Sequence, residues 1–380
     1  MVYLEVRSMN GNTWLRGLCL IALAWTIGCQ APDSTETASS VAEPSGADIT
    51  APPPGAVYQG EAFTFHEVQP GVYHAVGTGN LTVGCNGSLF VNDEDVLVVD
   101  SHITPAAAWA LQREFKNITD KPVRFVVNTH FHFDHSHGNQ SFGDDVEIVG
   151  HSFTRDKLAS GGSQRGRAYD MFVGGLPAQI EELESERTRA IDNTDDQLLE
   201  EIEAQLEIQR NYLEATESVV PRPPTMTLTK RMTLYRGGRE IQLLFFGRGH
   251  TGGDVVVYLP EEKVVATGDL LTAGLAYMGD GYLNEWADAL DELKKLDFEV
   301  VLPGHGEAFR DLERIDHFQA YLRDLWTKIV AKHEAGVSAE EAAETIDMTN
   351  HGEHYPSIDG PGVHPHAVER AYALLNGTEQ

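Results

Sequence analysis

Basic residues are scarce in this chain of 380: Lys and Arg total 28 against 58 Asp and Glu, giving a formal net charge of −30. Such a surface repels phosphate backbones and anionic headgroups, and no Lys/Arg run interrupts it, so the expectation is no nucleic-acid partner. Cysteine is rarer still. Of the 3 in the chain, Cys19 and Cys29 fall near the N-terminus and Cys85 stands alone in the body, so no internal disulfide forms. Cys85 sits in the glycine-flanked turn VGCNGS, where burial as a small apolar group is expected rather than catalysis. Long apolar runs are absent too. The stretch 18–27 is about ten residues, half of the ~20 that cross a bilayer.

That stretch follows Arg16 and ends at Gly28 and Cys29, the layout of a signal peptide over 1–29 rather than of an anchor helix. TIGC resembles a bacterial lipobox, in which the cysteine becomes the lipidated first residue, and Gln30 after it implies the outer membrane. The expectation is an exported, periplasmic lipoprotein held at the outer membrane through Cys29. Residues 30–56 are rich in Pro, Ser, Thr and acid without hydrophobic periodicity, and read as a disordered linker.

From residue 57 the pattern is that of a folded α/β domain, expected to run to 312. GVYHAV, GSLFVN and DVLVVD are strand-like, the last two joined as a hairpin. Thr104 and Pro105 mark a helix start by N-cap and first-turn preference. Residues 177–220 are Glu-rich with apolar residues at helical spacing, broken at DNTDD. They read as a helical insertion, either a solvated surface hairpin or a dimer contact or lid over a site. REIQLLFFG, DVVVYL, KVVATGD and FEVVLPG are further strands, a helix is expected from Asn284, and 313–380 reads as a helical extension.

Chemistry concentrates at NTHFHFDHSHG, 128–138. A strand running into His130 would place His130 and His132 on one side by alternation, with Asp134 and His135 turned toward a neighbouring ion. Imidazole and carboxylate ligands in this density suit borderline divalent metals, zinc above all. Three later strand ends offer more ligands: His250 in GRGHTGGD, Asp269 in VVATGDLL and His305 in VVLPGHGE. The glycines beside them permit close backbone approach.

This set resembles the metallo-β-lactamase superfamily. THFHFDH, GHTGGD, TGDLL and PGHG correspond to its successive metal motifs, and VLVVD ending in Asp100 looks like its first, structural motif. The resemblance implies an α/β four-layer αβ/βα sandwich, here with a helical insertion and a helical C-terminal extension. It implies that His130, His132 and His250 hold one Zn2+, that Asp134, His135 and His305 hold a second, and that Asp269 bridges them. Such a pair lies ~3.5–4 Å apart and presents a bridging hydroxide near neutral pH. Asp134 is then also the catalytic acid/base.

The resemblance sets the metal platform more firmly than the small-molecule substrate. Asp269 stands where one main β-lactamase class has a zinc-binding cysteine, and Thr272 where that class has the lysine that grips the antibiotic carboxylate. Asp at this slot is similar to glyoxalase II-like thioesterases, lactonases and the sulfur-oxidation or quinoprotein-associated hydrolases. The expected reaction is hydrolysis of an ester, thioester, lactone or amide. Alternatives are β-lactam hydrolysis and a mononuclear iron sulfur dioxygenase, with iron replacing zinc. Tyr277, Asp280, Tyr282 and Arg248 are candidate pocket residues, and His137 and His151 candidate supporting groups. His351, His354, His364 and His366 fit a C-terminal flap better than another metal site.

Overall fold

The computed structural model describes residues 51–378. The leader expected at 1–29, its Cys29 and most of the linker expected at 30–56 lie outside these residues. One sheet of seven strands follows chain order: β1 (Phe63–Gln69), β2 (Val72–Gly77), β3 (Gly87–Val91), β4 (Val96–Val99), β5 (Val123–Val127), β6 (Glu147–His151) and β7 (Met226–Leu228). The second sheet has five strands: β8 (Arg231–Arg236), β9 (Arg239–Phe245), β10 (Val255–Leu259), β11 (Val264–Gly268) and β12 (Val300–Pro303), in the spatial order β12-β11-β10-β9-β8. The helices are α1 (Pro105–Glu114), α2 (Phe133–Ser136), α3 (Ser152–Ala159), α4 (Arg167–Phe172), α5 (Leu176–Asp192), α6 (Asp196–Glu217), α7 (Leu283–Leu293), α8 (Glu313–Glu334), α9 (Ala339–Thr345) and α10 (Pro365–Leu375). None of them is long and apolar enough to cross a membrane.

Alternation of side chains along the strands sets the layers. In β4, Leu97 and Val99 face the apolar cluster between the sheets, while Val96 and Val98 face the cluster under α1. In β10, Val255, Val257 and Leu259 face inward between the sheets, and Val256 and Tyr258 face the cluster under α7 and α8. Strands buried on both faces read as unbroken apolar runs, which is why these segments do not alternate with polar residues. Helix, sheet, sheet, helix is the expected αβ/βα sandwich.

The helix starts follow their local signals. Thr104 accepts a hydrogen bond from the Ala107 N–H, and Pro105 opens α1. Ala106, Ala107, Ala108 and Ala110 are fully buried, so α1 lies close on the sheet. The extension from 313 is helical as expected and shares one core with the sandwich. Phe318, Leu322 and Leu325 of α8 and Val368 and Ala371 of α10 pack in the same cluster as Trp286 and Leu290 of α7.

The insertion is a helical hairpin, α5 and α6, with its break at Asn193–Asp195. Its distal half is held by a small cluster of its own, Ala190, Ile202 and Leu206. Its base is not a solvated surface: Leu176, Tyr212 and Ala215 join the cluster under α1.

Strand direction positions the site. β4, β5 and β6 run parallel, and β11 runs parallel to β12. Their carboxyl ends therefore deliver their following loops to the same edge, where α/β sheets place ligands.

Candidate metal centre

The first correction to the sequence reading lies in the opening motif. β5 ends at Val127, so His130 is not on a strand and alternation does not bring it to His132. Polar side chains pull the chain out of the sheet instead. Asn128 Nδ2 donates to the His135 carbonyl at 3.2 Å and to Asn139 Oδ1 at 3.0 Å. The Thr129 N–H donates to Asp100 Oδ1 at 2.8 Å, and its hydroxyl donates to Asp100 Oδ2 at 2.8 Å. His132 then immediately precedes the short helix α2, which carries Asp134 and His135.

The turn nevertheless brings the expected side chains together. His130 Nε2 lies 3.1 Å from His132 Nδ1, and His250 Nε2 lies 3.0 Å from the same Nδ1. Burial, with His135 nearby, holds His130 well below the usual imidazole range. Burial takes His250 down to about 3. Three ring nitrogens converging on one point are the arrangement a soft-to-borderline cation requires.

The second group stands beside the first. Asp134 Oδ2 is 3.3 Å from His135 Nε2 and 3.2 Å from His305 Nε2, and the two ring nitrogens are 3.4 Å apart. Asp269 lies between the groups. Its Oδ1 is 3.4 Å from His135 Nε2, and its Oδ2 is 3.3 Å from His305 Nε2 and 3.6 Å from His250 Nε2. All seven candidate ligands thus meet at one edge in three groups, His130–His132–His250 and Asp134–His135–His305, with His130–His135–Asp269 linking them.

Electrostatics show that this donor set fits cations. Burial opposes charge on Asp134 and Asp269, yet His135 beside the first and His305 beside the second hold both carboxyls well below their ordinary range. Burial likewise opposes protonation of His305, but Asp269 and Asp134 lift it to about 10. His135 is pushed well up against its burial by Cys85 and by Asp134, Asp269 and Asp100. Protons on these rings stand in for positive charge that the buried carboxylates demand. Asp269 Oδ1 is buried without a hydrogen-bond partner, an orphan that a cation would satisfy.

Supporting groups fix the candidate ligands from behind. His135 Nδ1–H donates to Asp100 Oδ2 at 2.8 Å, which turns Nε2 toward the centre. Asp254 of HTGGD accepts from the Thr251 N–H at 2.9 Å and from its hydroxyl at 2.6 Å, tying down the loop that carries His250. Cys85 is buried beneath, as expected, its thiol pushed up to about 12 by desolvation. Gly304 of PGHG is sterically required: a Cβ there would lie 2.2 Å from Asp269 Oδ1 and 2.9 Å from His135 Cε1. The backbone cannot retreat, because the Gly304 N–H donates to Gly268 O at 2.9 Å and its carbonyl accepts from the Asn86 N–H at 2.7 Å. Gly304→Ala is therefore expected to lower stability by ~1–3 kcal/mol and to weaken metal uptake. Denaturant titration and metal titration of the same sample check both.

A cavity of about 650 Å³ opens over the centre, floored by His132, Asp134, Asp269 and His305. Ile103, Phe133, Phe172, Leu275 and Tyr277 give it apolar walls. The insertion closes the far side with Leu176 and Gln179 of α5 and Gln209 and Tyr212 of α6. Tyr277 lines the cavity, and its hydroxyl lies 3.1 Å from His366 Nδ1.

The other three pocket candidates are placed elsewhere. Arg248 and Tyr282 do not line this cavity: Arg248 pairs with Glu285 and lies 4.1 Å over the Tyr282 ring. Asp280 points its Oδ2 at His132 Nε2, 3.1 Å away, and lines a neighbouring cleft with His132 and Phe133. His137 contacts Ser163 Oγ at 3.0 Å, and His151 caps α3 and stacks on Phe245. His351 bonds Asp324 and His354 stacks on His317; among the described residues these C-terminal histidines form no metal cluster. Gln179, Gln209 and Tyr212 were missed. The signal was present, since Ile202, Leu206, Gln209 and Tyr212 recur at the spacing of one helix face.

Comparisons with known proteins bear on the family and the fold. A "Metallo-beta-lactamase type 2" of Bacillus cereus is 32% identical over 77 residues, covering 19% of this chain and 30% of that protein. A "Linear primary-alkylsulfatase" of Pseudomonas sp. (strain ATCC 19151) is 22% identical over 276 residues, covering 68% of this chain and 49% of that one. The chain thus spans half or less of the length of these relatives. Among solved structures, a stereoselective inverting sec-alkylsulfatase from Pseudomonas sp. superposes with a TM-score of 0.57 at 17% identity, over 83% of this chain and 51% of the other. The family profile described as the metallo-beta-lactamase superfamily matches residues 81–305, the stretch that holds all seven candidate ligands, and the chain belongs to that superfamily.

Proposed function

We propose that the chain is a metal-dependent hydrolase acting on a neutral ester, thioester, lactone or amide with an apolar substituent. One observation carries this reading: Asp269 joins two ligand sets at the floor of an apolar cavity. Divalent cations bound there, zinc by the nitrogen-rich donor set, supply Lewis acidity and lower the pKa of water toward ~7. The protein's own groups do the rest. Asp134, at the cavity floor and beside His305, is placed to hold a proton from attacking water and pass it to the leaving group. The walls of Phe133, Phe172 and Leu275 exclude water and take the apolar part of the substrate.

Charge argues the substrate class. Among the described residues that line the cavity, none is Lys or Arg, and Thr272 lines it at the position where the resemblance gives one main β-lactamase class a carboxylate-binding lysine. Sulfate-ester hydrolysis is a second reading, favoured by the alkylsulfatase likeness along most of the chain. A panel of alkanoate esters, thioesters and lactones beside a chromogenic cephalosporin and dodecyl sulfate tests the order. We expect kcat/KM for the best neutral acyl substrate to exceed both anions at least tenfold. Faster turnover of dodecyl sulfate or of the cephalosporin overturns it. The leader supports export with lipidation at Cys29, and metabolic labelling with a palmitate analogue in wild type and Cys29→Ala checks that.

A further inference from the structure

His132 has two ring nitrogens with different neighbours. Nδ1 faces His130 and His250, while Nε2 faces Asp280 Oδ2 at 3.1 Å. A carboxylate accepting from Nε2–H leaves the lone pair on Nδ1, directed at the point where the three rings meet. Asp280 itself sits in the stretch 277–282, which has no regular structure. A carboxylate on such a segment orients nothing unless the segment is held.

The C-terminal extension holds it at both ends. At one end the Tyr277 hydroxyl meets His366 of α10 at 3.1 Å. At the other, Arg370 of α10 donates from Nε to the Gly281 carbonyl at 3.2 Å, and its guanidinium lies 4.6 Å from the Tyr282 ring centroid. The opposite tie runs to the loop of another ligand. The Tyr282 N–H donates to the Gly249 carbonyl at 2.8 Å, beside His250, and Arg248 also packs on the Tyr282 ring. Arg370 is only 8% exposed, on a helix whose Ala367, Val368 and Ala371 are core residues. A buried guanidinium at such a position is costly unless its contacts need it.

Resting on the metal-centre reading above, we propose that α10 is a working part of the centre: Asp280 orients His132, and Arg370 holds Asp280 in place, bracing the three-histidine set and not the Asp134–His135–His305 set. Both are positioning residues that touch neither substrate nor reacting atoms. Their loss therefore weakens uptake of one ion and spares the other.

The test uses the metal-stripped full chain, titrated with Zn(II) against a chromogenic chelator and with Co(II) followed by its visible absorption. Wild type is expected to take two ions. In Asp280→Ala the affinity for one of them falls ~10–100-fold, with the second ion and the melting point of the stripped protein unchanged. Asp280→Asn, which keeps an acceptor oxygen, recovers part of the loss. Arg370→Gln shifts the same ion in the same direction. Glu369→Gln, on the same helix as Arg370, breaks the exposed pair to Arg167 of α4 and leaves both ions as in wild type. Uptake of both ions by Asp280→Ala with wild-type affinity overturns the brace, as does a loss in Glu369→Gln equal to that in Arg370→Gln. A wild type that takes up no ion overturns the metal-centre reading itself.

Discussion

Asp134→Asn is expected to lower kcat ~10²–10⁴-fold, the range for removing a positioned proton-transfer group, while the protein stays folded. The substitution keeps the size of the side chain and removes its charge and basicity. Asp134 touches both His135 and His305 and lines the cavity floor, so the loss combines a weakened second ligand set with a missing proton carrier. It sits at the end of the sandwich in a four-residue helix and not among the packed strands, so the fold does not depend on it. Steady-state kinetics on the best acyl substrate, with circular dichroism and metal analysis of the same sample, read the effect. Wild-type turnover in a folded, fully metallated Asp134→Asn protein contradicts the assigned role.

Removing metal is expected to destabilise the protein strongly. Without cations, the carboxylates of Asp134, Asp269 and Asp100 are compensated by protons on His135 and His305, both pushed up from the imidazole range, and Asp269 Oδ1 accepts no hydrogen bond. A ligand present at a thousand times its dissociation constant adds ~4 kcal/mol of stability per site. For a domain of this size that shifts the melting point by on the order of 10 °C. Calorimetry before and after dialysis against a strong chelator measures it, and re-addition of Zn2+ should restore both stability and turnover. An unchanged melting point in verified metal-free protein contradicts the claim that the centre holds cations against buried charge.

The candidate ligands were legible because each carries its own local signal: a dense histidine motif and three strand-end turns marked by glycine. The layers were legible for the same kind of reason, since strands buried on both faces announce themselves as apolar runs. Geometry between segments was not. The sequence suggested that a strand runs on to His130; Asn128 and Thr129 instead bond to His135 of α2 and to Asp100, just past β4, contacts that no local pattern encodes. Asp280, Tyr282 and Arg248 looked alike as polar residues near a motif. Only packing shows that Asp280 backs His132 and that Tyr282 lies against Arg248 and Arg370. The insertion's role depended on which face of α6 meets the cavity, and its helical spacing held that information without naming the partner.

The central claim is that seven side chains hold two divalent cations in two sets joined by Asp269. The most direct measurement is the metal content of purified wild type beside His250→Ala and His305→Ala, one ligand from each set. The account predicts two equivalents in wild type and the loss of one tightly held equivalent in each variant. Failure of wild type to take up any transition ion, or full turnover after exhaustive chelation, contradicts it.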